Sequence, residues 1–454
     1  MSAAGEVSVY DRMCWPEAEL ERALALGAHR RELAAYLGGY EYTTLAALAR
    51  RSHAARRRRG TARPRLKVYL LPGILGSQLG RARPAGQPPD LLWIDPSDIV
   101  RGRLIELRLP RAGAGKSAPR ASHTRSLPPL QPMGAIVYSY LALKLRLSAA
   151  GLDVVLHDYD WRGDVMAQGQ ALAARLAADD ADELALIGHS MGALLARATL
   201  AHYGRDAGAE RITRVIGLGA PHGGSIAAVQ ALRASYPIVG RLAAIDRRHD
   251  AQALTRLAFR GFLSLYQLLP APDAALDLFD PDSWPASGTR PDPKLLRTAR
   301  GFARQLATAD QRFVSIVGTG QRTVTGIERR GAQFRYRVSS AGDGTVASAC
   351  ATLAGARSYC LRCEHSELPR NEQVAAALVD LLRRGSTRRL RAGVTGHHGR
   401  SSYVTDAVLS RELGRKIDWY SLGIGERRQY LNRLNDPPRC YRARSRAGDE
   451  KIVR

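Results

Sequence analysis

Apolar residues along the chain fall into two rhythms that alternate from about residue 66 onward. Five short runs, LKVYLLPGIL (66–75), DVVLHDYD (153–160), ELALIGHS (183–190), RVIGLGAP (214–221) and RFVSIVG (312–318), mostly lack the in-out alternation of a half-exposed strand. Each is predicted as a strand buried on both faces. Between them YSYLALKLRLSAAG, QGQALAARLAADDA and MGALLARATLAHYG carry helical apolar spacing. Strand alternating with helix predicts a mostly parallel central sheet with right-handed crossovers and helices on both faces. Residues 223–311 interrupt the rhythm with AAVQALRASYPIVGRLAAI, AQALTRLAFRGFLSLYQLLP and the Pro- and Asp-rich DLFDPDSWPASGTRPDPK, and are predicted as a helical cap inserted into the sheet.

The flanks have a different character. PEAELERALALGAHRRELAAYLGG and YTTLAALAR predict helices before residue 50, and the basic SHAARRRRGTARPR that follows reads as a linker. Beyond about residue 385 the chain becomes Arg- and Gly-rich, then polar and Tyr-rich. The expected organisation is an N-terminal helical extension and basic linker at 1–65, a main domain at 66–385 and a basic C-terminal extension at 386–454. There is no internal repeat.

A chain of 454 residues is long enough for one large α/β domain with an insertion. Its 68 Lys and Arg against 42 Asp and Glu give a formal charge of +26, which attracts polyanions or an anionic membrane surface. Only six of those basic residues are lysines, and a preference for Arg and Ala this lopsided also follows from GC-biased codons, so selection for an acidic partner and compositional drift both stay open. The five cysteines are too few and scattered for a disulfide framework and are expected as free thiols. The N-terminus carries acidic residues where an export signal needs a basic start and an unbroken apolar stretch. No apolar run approaches the ~20 residues of a membrane span. The expected compartment is the cytoplasm, although export by a signal-less route leaves no sequence trace.

Chemistry enters at Gly188-His189-Ser190-Met191-Gly192, which matches G-x-S-x-G between the apolar run ELALI and the helical GALLARATLAHYG. This is where a nucleophile elbow must sit: the serine occupies a strained strand-to-helix turn, and a side chain at either flanking glycine would collide with a neighbouring element. A serine hydroxyl needs a base to take its proton, so an aspartate and a histidine should follow in the order Ser, Asp, His. Ala341-Gly342-Asp343-Gly344-Thr345-Val346 places Asp343 in a Gly-flanked loop after a strand, and Cys363-Glu364-His365-Ser366 places His365 before the helical NEQVAAALVDLL. Asp-Gly is also a common turn pair; chain order and context favour the acid role for Asp343. Asp310 precedes its strand, whereas the role requires a loop at the strand's C-terminal end. Oxyanion donors are expected from the backbone N–H of Met191 and from the Leu71–Ser77 loop, with Ile74 as the candidate because the Pro-Gly turn directs the next amide toward the site.

These residues resemble the lecithin:cholesterol acyltransferase-like family of α/β-hydrolases, which includes phospholipases A and acyltransferases. PGILGSQL (72–79), LLWIDPSDI (91–99), YDWR (159–162), GHSMGALLAR, GAPHGGS (219–225), GTGQRT (318–323), GDGTV and EHSEL follow in the family's order, over roughly residues 66–383. The resemblance implies an α/β-hydrolase fold and puts Trp93 near the acyl site or lid; Leu75 and His189 are assigned with it to substrate binding. It also implies that the cap shapes an apolar cleft. The disulfides and export signals of the family's secreted members are not expected in this chain.

Ala114-Gly115-Lys116-Ser117 imitates the end of a phosphate-binding loop, but Pro110 stands where its first glycine belongs and no strand precedes it. Cys360-x-x-Cys363 with Cys350 and His365 could suggest zinc, yet a metal would consume the histidine that the serine needs. The arginine runs at 56–59 and 383–391 lack interleaved aromatics, so nucleic acid is not an expected partner. The reading is serine-dependent hydrolysis of lipid acyl esters with no cofactor or metal, and with peripheral contact of the basic flanks with an anionic membrane. The rivals are an O-acyltransferase with the same residues, an amidase or signal-less exported lipase, and a non-catalytic protein that binds anions or lipid.

Overall fold

The computed structural model describes residues 16–59, 65–84, 87, 89–109, 128–203, 208–272, 276–394, 401–435 and 437–442. Seven strands form the central sheet: β1 (Leu66–Leu71), β2 (Asp153–Leu156), β3 (Glu183–His189), β4 (Ile212–Leu218), β5 (Phe313–Thr319), β6 (Arg357–Arg362) and β7 (Arg391–Ala392). Their order is β7-β6-β5-β4-β3-β1-β2. All neighbours are parallel except the edge pair β6–β7. The first five are the strands that the apolar runs predict.

Side-chain alternation sorts these strands onto two cores. Val68, Leu70, Ala185, Ile187, Ile216 and Leu218 face one layer, with Tyr140 and Leu147 from helix Val137–Ala149 and Leu378 and Leu381 from helix Glu372–Arg384. Tyr69, Leu71, Leu184, Leu186 and Val215 face the other, where helices Val165–Ala177 and Met191–Tyr203 pack. Burial on both faces is why the strands read as continuous apolar runs. Each fully buried Leu or Ile contributes about 1.5–3 kcal/mol. Asp164 and Asn371 cap their helices, accepting from Met166 N–H and Val374 N–H respectively.

Between β4 and β5 the chain leaves the sheet and forms helices that include Ile226–Leu232, Pro237–Ile245, Ala251–Leu257, Leu263–Gln267 and Pro293–Ala299. A mostly parallel sheet covered on both faces, with this helical cap inserted, is the α/β-hydrolase fold.

The flanks depart from their sequence reading. Ser52–Arg59, expected as linker, continues the helix Gly39–Arg59, because alanine and arginine are both strong helix formers. That helix and Glu17–Leu26 pack on the helix Val137–Ala149 through Leu24, Leu45, Ala49, Leu141 and Leu145. The C-terminal extension is also folded onto the body: Ser402–Thr405 pairs with Gln333–Ser339, and Asp406 bonds Arg233 Nε (2.9 Å), Ser235 Oγ (2.8 Å) and Tyr336 Oη (2.6 Å). Two three-stranded sheets were not foreseen, Ser77–Arg81 with Asp90–Trp93 and Gln131–Ala135, and Thr323–Arg330 with Gln333–Ser339 and Ser402–Thr405. The 114–117 segment, Cys14, His397 and His398 lie outside the described residues. Cys350, Cys360, Cys363 and Cys440 are free thiols. Among the described residues no helix is long and apolar enough to cross a membrane, and no group of three or more His, Cys, Asp or Glu could hold a metal.

Candidate active site

Parallel register decides which loops meet. Leu71 pairs with Gly188 at the ends of β1 and β3, and Arg362 with Thr319 at the ends of β6 and β5. The loops after these strands therefore emerge along one edge of the sheet, carrying Gly73–Gly76, Ser190, Asp343 and His365.

Ser190 sits in the left-handed region with φ 53°, a conformation rare for a residue with a Cβ. The turn is held by Ser190 N–H to Leu218 carbonyl (2.9 Å) and Ala193 N–H to Ser190 carbonyl (3.0 Å). Its glycines are sterically required: a Cβ on Gly188 would lie 2.3 Å from Ala193 N, and one on Gly192 would lie 2.1 Å from the Leu71 carbonyl oxygen.

Asp343 is 1% exposed. Its Oδ1 accepts from Thr345 N–H (3.0 Å) and Val346 N–H (2.7 Å), leaving Oδ2 to meet His365 Nδ1 at 2.7 Å. A second bond, His365 N–H to Asp343 carbonyl at 2.8 Å, fixes the two loops together. Ser190 and His365 line the same cavity. No hydrogen bond joins the serine hydroxyl to the imidazole among the described residues.

The loop after β1 is braced by aromatic residues of two other segments. Tyr159 Oη donates to Pro72 carbonyl (2.8 Å), Trp161 Nε1 to Ser77 carbonyl (2.9 Å) and Trp93 Nε1 to Leu75 carbonyl (2.9 Å). Leu75 has φ 64°. The YDWR and Trp-bearing motifs thus act by holding this loop, and the Trp93 ring meets Trp161 edge-on at 5.8 Å. The N–H groups of Ile74 and Met191 have no hydrogen-bond partner among the described residues, whereas that of Gly73 is taken by Tyr140 Oη at 3.0 Å.

Tyr140 is the residue that the sequence did not single out; it read only as an apolar position of a helix. Its hydroxyl also lies 2.9 Å from His189 Nδ1, and His189 Nε2 lies 3.0 Å from the His365 carbonyl oxygen. One proton arrangement satisfies all three bonds: Tyr140 accepts from Gly73 and donates to Nδ1, and Nε2–H donates to the carbonyl. Burial, with the neighbouring His365 adding to it, pushes His189 down to about 3, so its ring is neutral at pH 7. Both of its nitrogens are occupied by protein, which leaves the ring only its apolar surface for a ligand.

Ser190, His365, Ile74, Leu75, Trp93 and His189 line one cavity of ≈ 270 Å³, and Met191 is buried directly beside the serine. Cap residues such as Leu242, Phe259 and Phe262 supply much of its apolar wall. Asp310 stands apart, paired with Arg312 at 2.6 Å.

A search of the curated proteins finds no match. Among solved structures the chain is similar to a Bacillus licheniformis lipase, BlEst2, in mature form, with 14% identity over 72% of this chain and 94% of that one and a TM-score of 0.34. It is also similar to a chain of the Tle4–Tli4 complex, with 15% identity over 69% and 96% and a TM-score of 0.40. With scores this low, the sheet order described above is what identifies the fold. Residues 151–359, which hold the elbow, the whole cap and the Asp343 loop, match the model of the family described as Lecithin:cholesterol acyltransferase, the family that the motifs resemble.

Proposed function

We propose that the protein hydrolyses acyl esters of lipids, with Ser190 as nucleophile, His365 as general base and then acid, and Asp343 as the group that orients the imidazole. The observation that carries this reading is the 2.7 Å contact of Asp343 with His365 Nδ1 beside a serine held at positive φ in an apolar cavity. A proton on Nδ1, donated to the carboxylate, leaves the Nε2 lone pair as the acceptor for the serine hydroxyl. Hydrogen bonds of this kind commonly tighten only when substrate is bound. The serine oxygen attacks the ester carbonyl as His365 takes its proton, and the oxyanion is met by the N–H groups of Met191 and Ile74. His365 returns the proton to the departing alcohol, leaving an acyl-enzyme. Water, deprotonated by the same ring, then releases the fatty acid and restores the serine.

The family match supports acyl-ester chemistry in general, as hydrolysis or as transfer to an alcohol. Hydrolysis is the reading adopted because water is always available to the acyl-enzyme, and transfer needs an alcohol that outcompetes it. The test is a chain-length series of acyl esters and phospholipids with products followed by mass, run beside labelling with a fluorophosphonate probe. Ser190→Ala is expected to lose the label and to lower turnover by about 10³ or more. Undiminished labelling of that variant rejects the assignment.

A further inference from the structure

Part of the cavity wall is built by flanking segments that the family match leaves out. Tyr36, from helix Arg30–Leu37, and Arg428, Leu431, Asn432 and Asn435, from the C-terminal extension, line it together. The two flanks hold each other at this point. Arg428 Nη1 donates to Ala35 carbonyl at 3.2 Å, and a Cβ on Gly38 would stand 3.2 Å from the Arg428 guanidinium carbon. Asn432 and Asn435 are the lining residues that are exposed, so the cavity opens to water here.

Arg428 is the one lining side chain, among the described residues, that carries a permanent charge. It is half-buried, and no carboxylate among the described residues pairs with it. The bond to Ala35 uses one of five N–H donors. A guanidinium fork left without a counter-ion at the mouth of an apolar cavity matches the oxygens of a phosphate better than any neutral head group. The turn it touches leads into Tyr40, which is 85% exposed, an aromatic with a polar tip suited to the boundary between a lipid aggregate and water.

We infer that the two flanks form the mouth of the acyl cavity and that Arg428 binds the phosphate of an amphiphile whose apolar tail enters the space under the cap. The inference rests on the ester-hydrolase reading for what happens to a bound substrate, but binding itself does not require the nucleophile.

The experiment is therefore a titration of the full-length Ser190→Ala protein with dodecyl phosphate, with dodecanol and with inorganic phosphate. Charge-assisted bonds to a phosphate predict that dodecyl phosphate binds about tenfold or more tightly than dodecanol, with inorganic phosphate far weaker than either. Adding Arg428→Gln should bring the ratio of the two amphiphiles to within about twofold, and Arg428→Lys, which keeps the charge without the fork, should fall between. A ratio near one in the Ser190→Ala protein overturns the inference, whether or not the Arg428 variants fold. So does a ratio that Arg428→Gln leaves intact, or an equal weakening of both amphiphiles. Absence of ester hydrolysis by the unmodified protein with the phosphate preference intact would instead reject the proposed activity and leave the binding site standing.

Discussion

The floor of the cavity and its roof are built by different rules. At the floor the elbow is short-range: Gly188, Ser190 and Gly192 lie within five residues, and their geometry follows from one strand, one turn and one helix. The roof is assembled from the cap, the N-terminal helices and the C-terminal extension, joined by contacts such as Arg428 with Ala35 across 393 positions of sequence. A motif can report the first because steric exclusion acts between neighbours in the chain. No motif reports the second, because it depends on where separately folded segments come to rest. On the proposed reading the reacting groups belong to the floor and substrate selection to the roof.

The largest blow to the floor comes from Asp343→Asn. The amide can present N–H where the carboxylate accepts, which stabilises the wrong tautomer of His365 and removes the charge that favours the imidazolium. A loss in kcat of about 10⁴ is expected, with binding of dodecyl phosphate retained because the roof is untouched. Steady-state kinetics beside the same titration would show this; normal turnover would move the acid role to another residue.

What is legible in the sequence follows this division. The strands β1, β3, β4 and β5 were legible because both their faces are largely buried, and the edge strand β2, whose burial alternates, because its apolar residues are consecutive. The chain order and context of Ser190, Asp343 and His365 singled out side chains that the fold brings to one edge. Strand β6 was missed because RSYCLR mixes exposed arginines with two buried residues. The hairpin Thr323–Ser339 was missed because its strands carry many charges. Ser52–Arg59 was misread because charge density suggested a linker where helix propensity prevailed. Tyr140 was invisible: an apolar position facing a sheet and a hydroxyl reaching another loop look identical in sequence.

Acid should expose a weakness of the floor next in size. His189 is held neutral in the fold, with its pKa lowered to about 3, while the unfolded chain takes up a proton near 6.5. Between these values the unfolded state binds more protons, so stability rises with pH, and the contribution of His189 is lost as pH falls below about 6.5. One such group changes stability by up to about 1.4 kcal/mol per pH unit, hence by about 2 kcal/mol between pH 6.5 and 5. Urea midpoints of the unmodified protein and of His189→Gln across that interval should differ in slope by this amount. Parallel slopes would mean that the ring is protonated in the fold and that the proton arrangement assigned to it is wrong.

The smallest effect on turnover, and the one that best separates floor from roof, is expected of Tyr140→Phe. Tyr140 touches no reacting atom; it is a positioning residue whose hydroxyl links Gly73 in the oxyanion loop to His189, and through His189 to the carbonyl of His365. Removing the hydroxyl leaves a buried N–H and a buried imidazole nitrogen unsatisfied, which costs about 1–3 kcal/mol for each such group. The thermal midpoint should therefore fall. The loop bearing the Ile74 N–H also loses one of its anchors, and a donor displaced by a few tenths of an ångström weakens the oxyanion contact that forms only in the transition state. The expected result is a kcat lowered about tenfold, part of the 10²–10³ that a complete donor supplies, with little change in KM, because interactions made only in the transition state do not alter ground-state binding. If KM rose instead while kcat held, Tyr140 would be a wall of the cavity and no part of the link between oxyanion loop and imidazole.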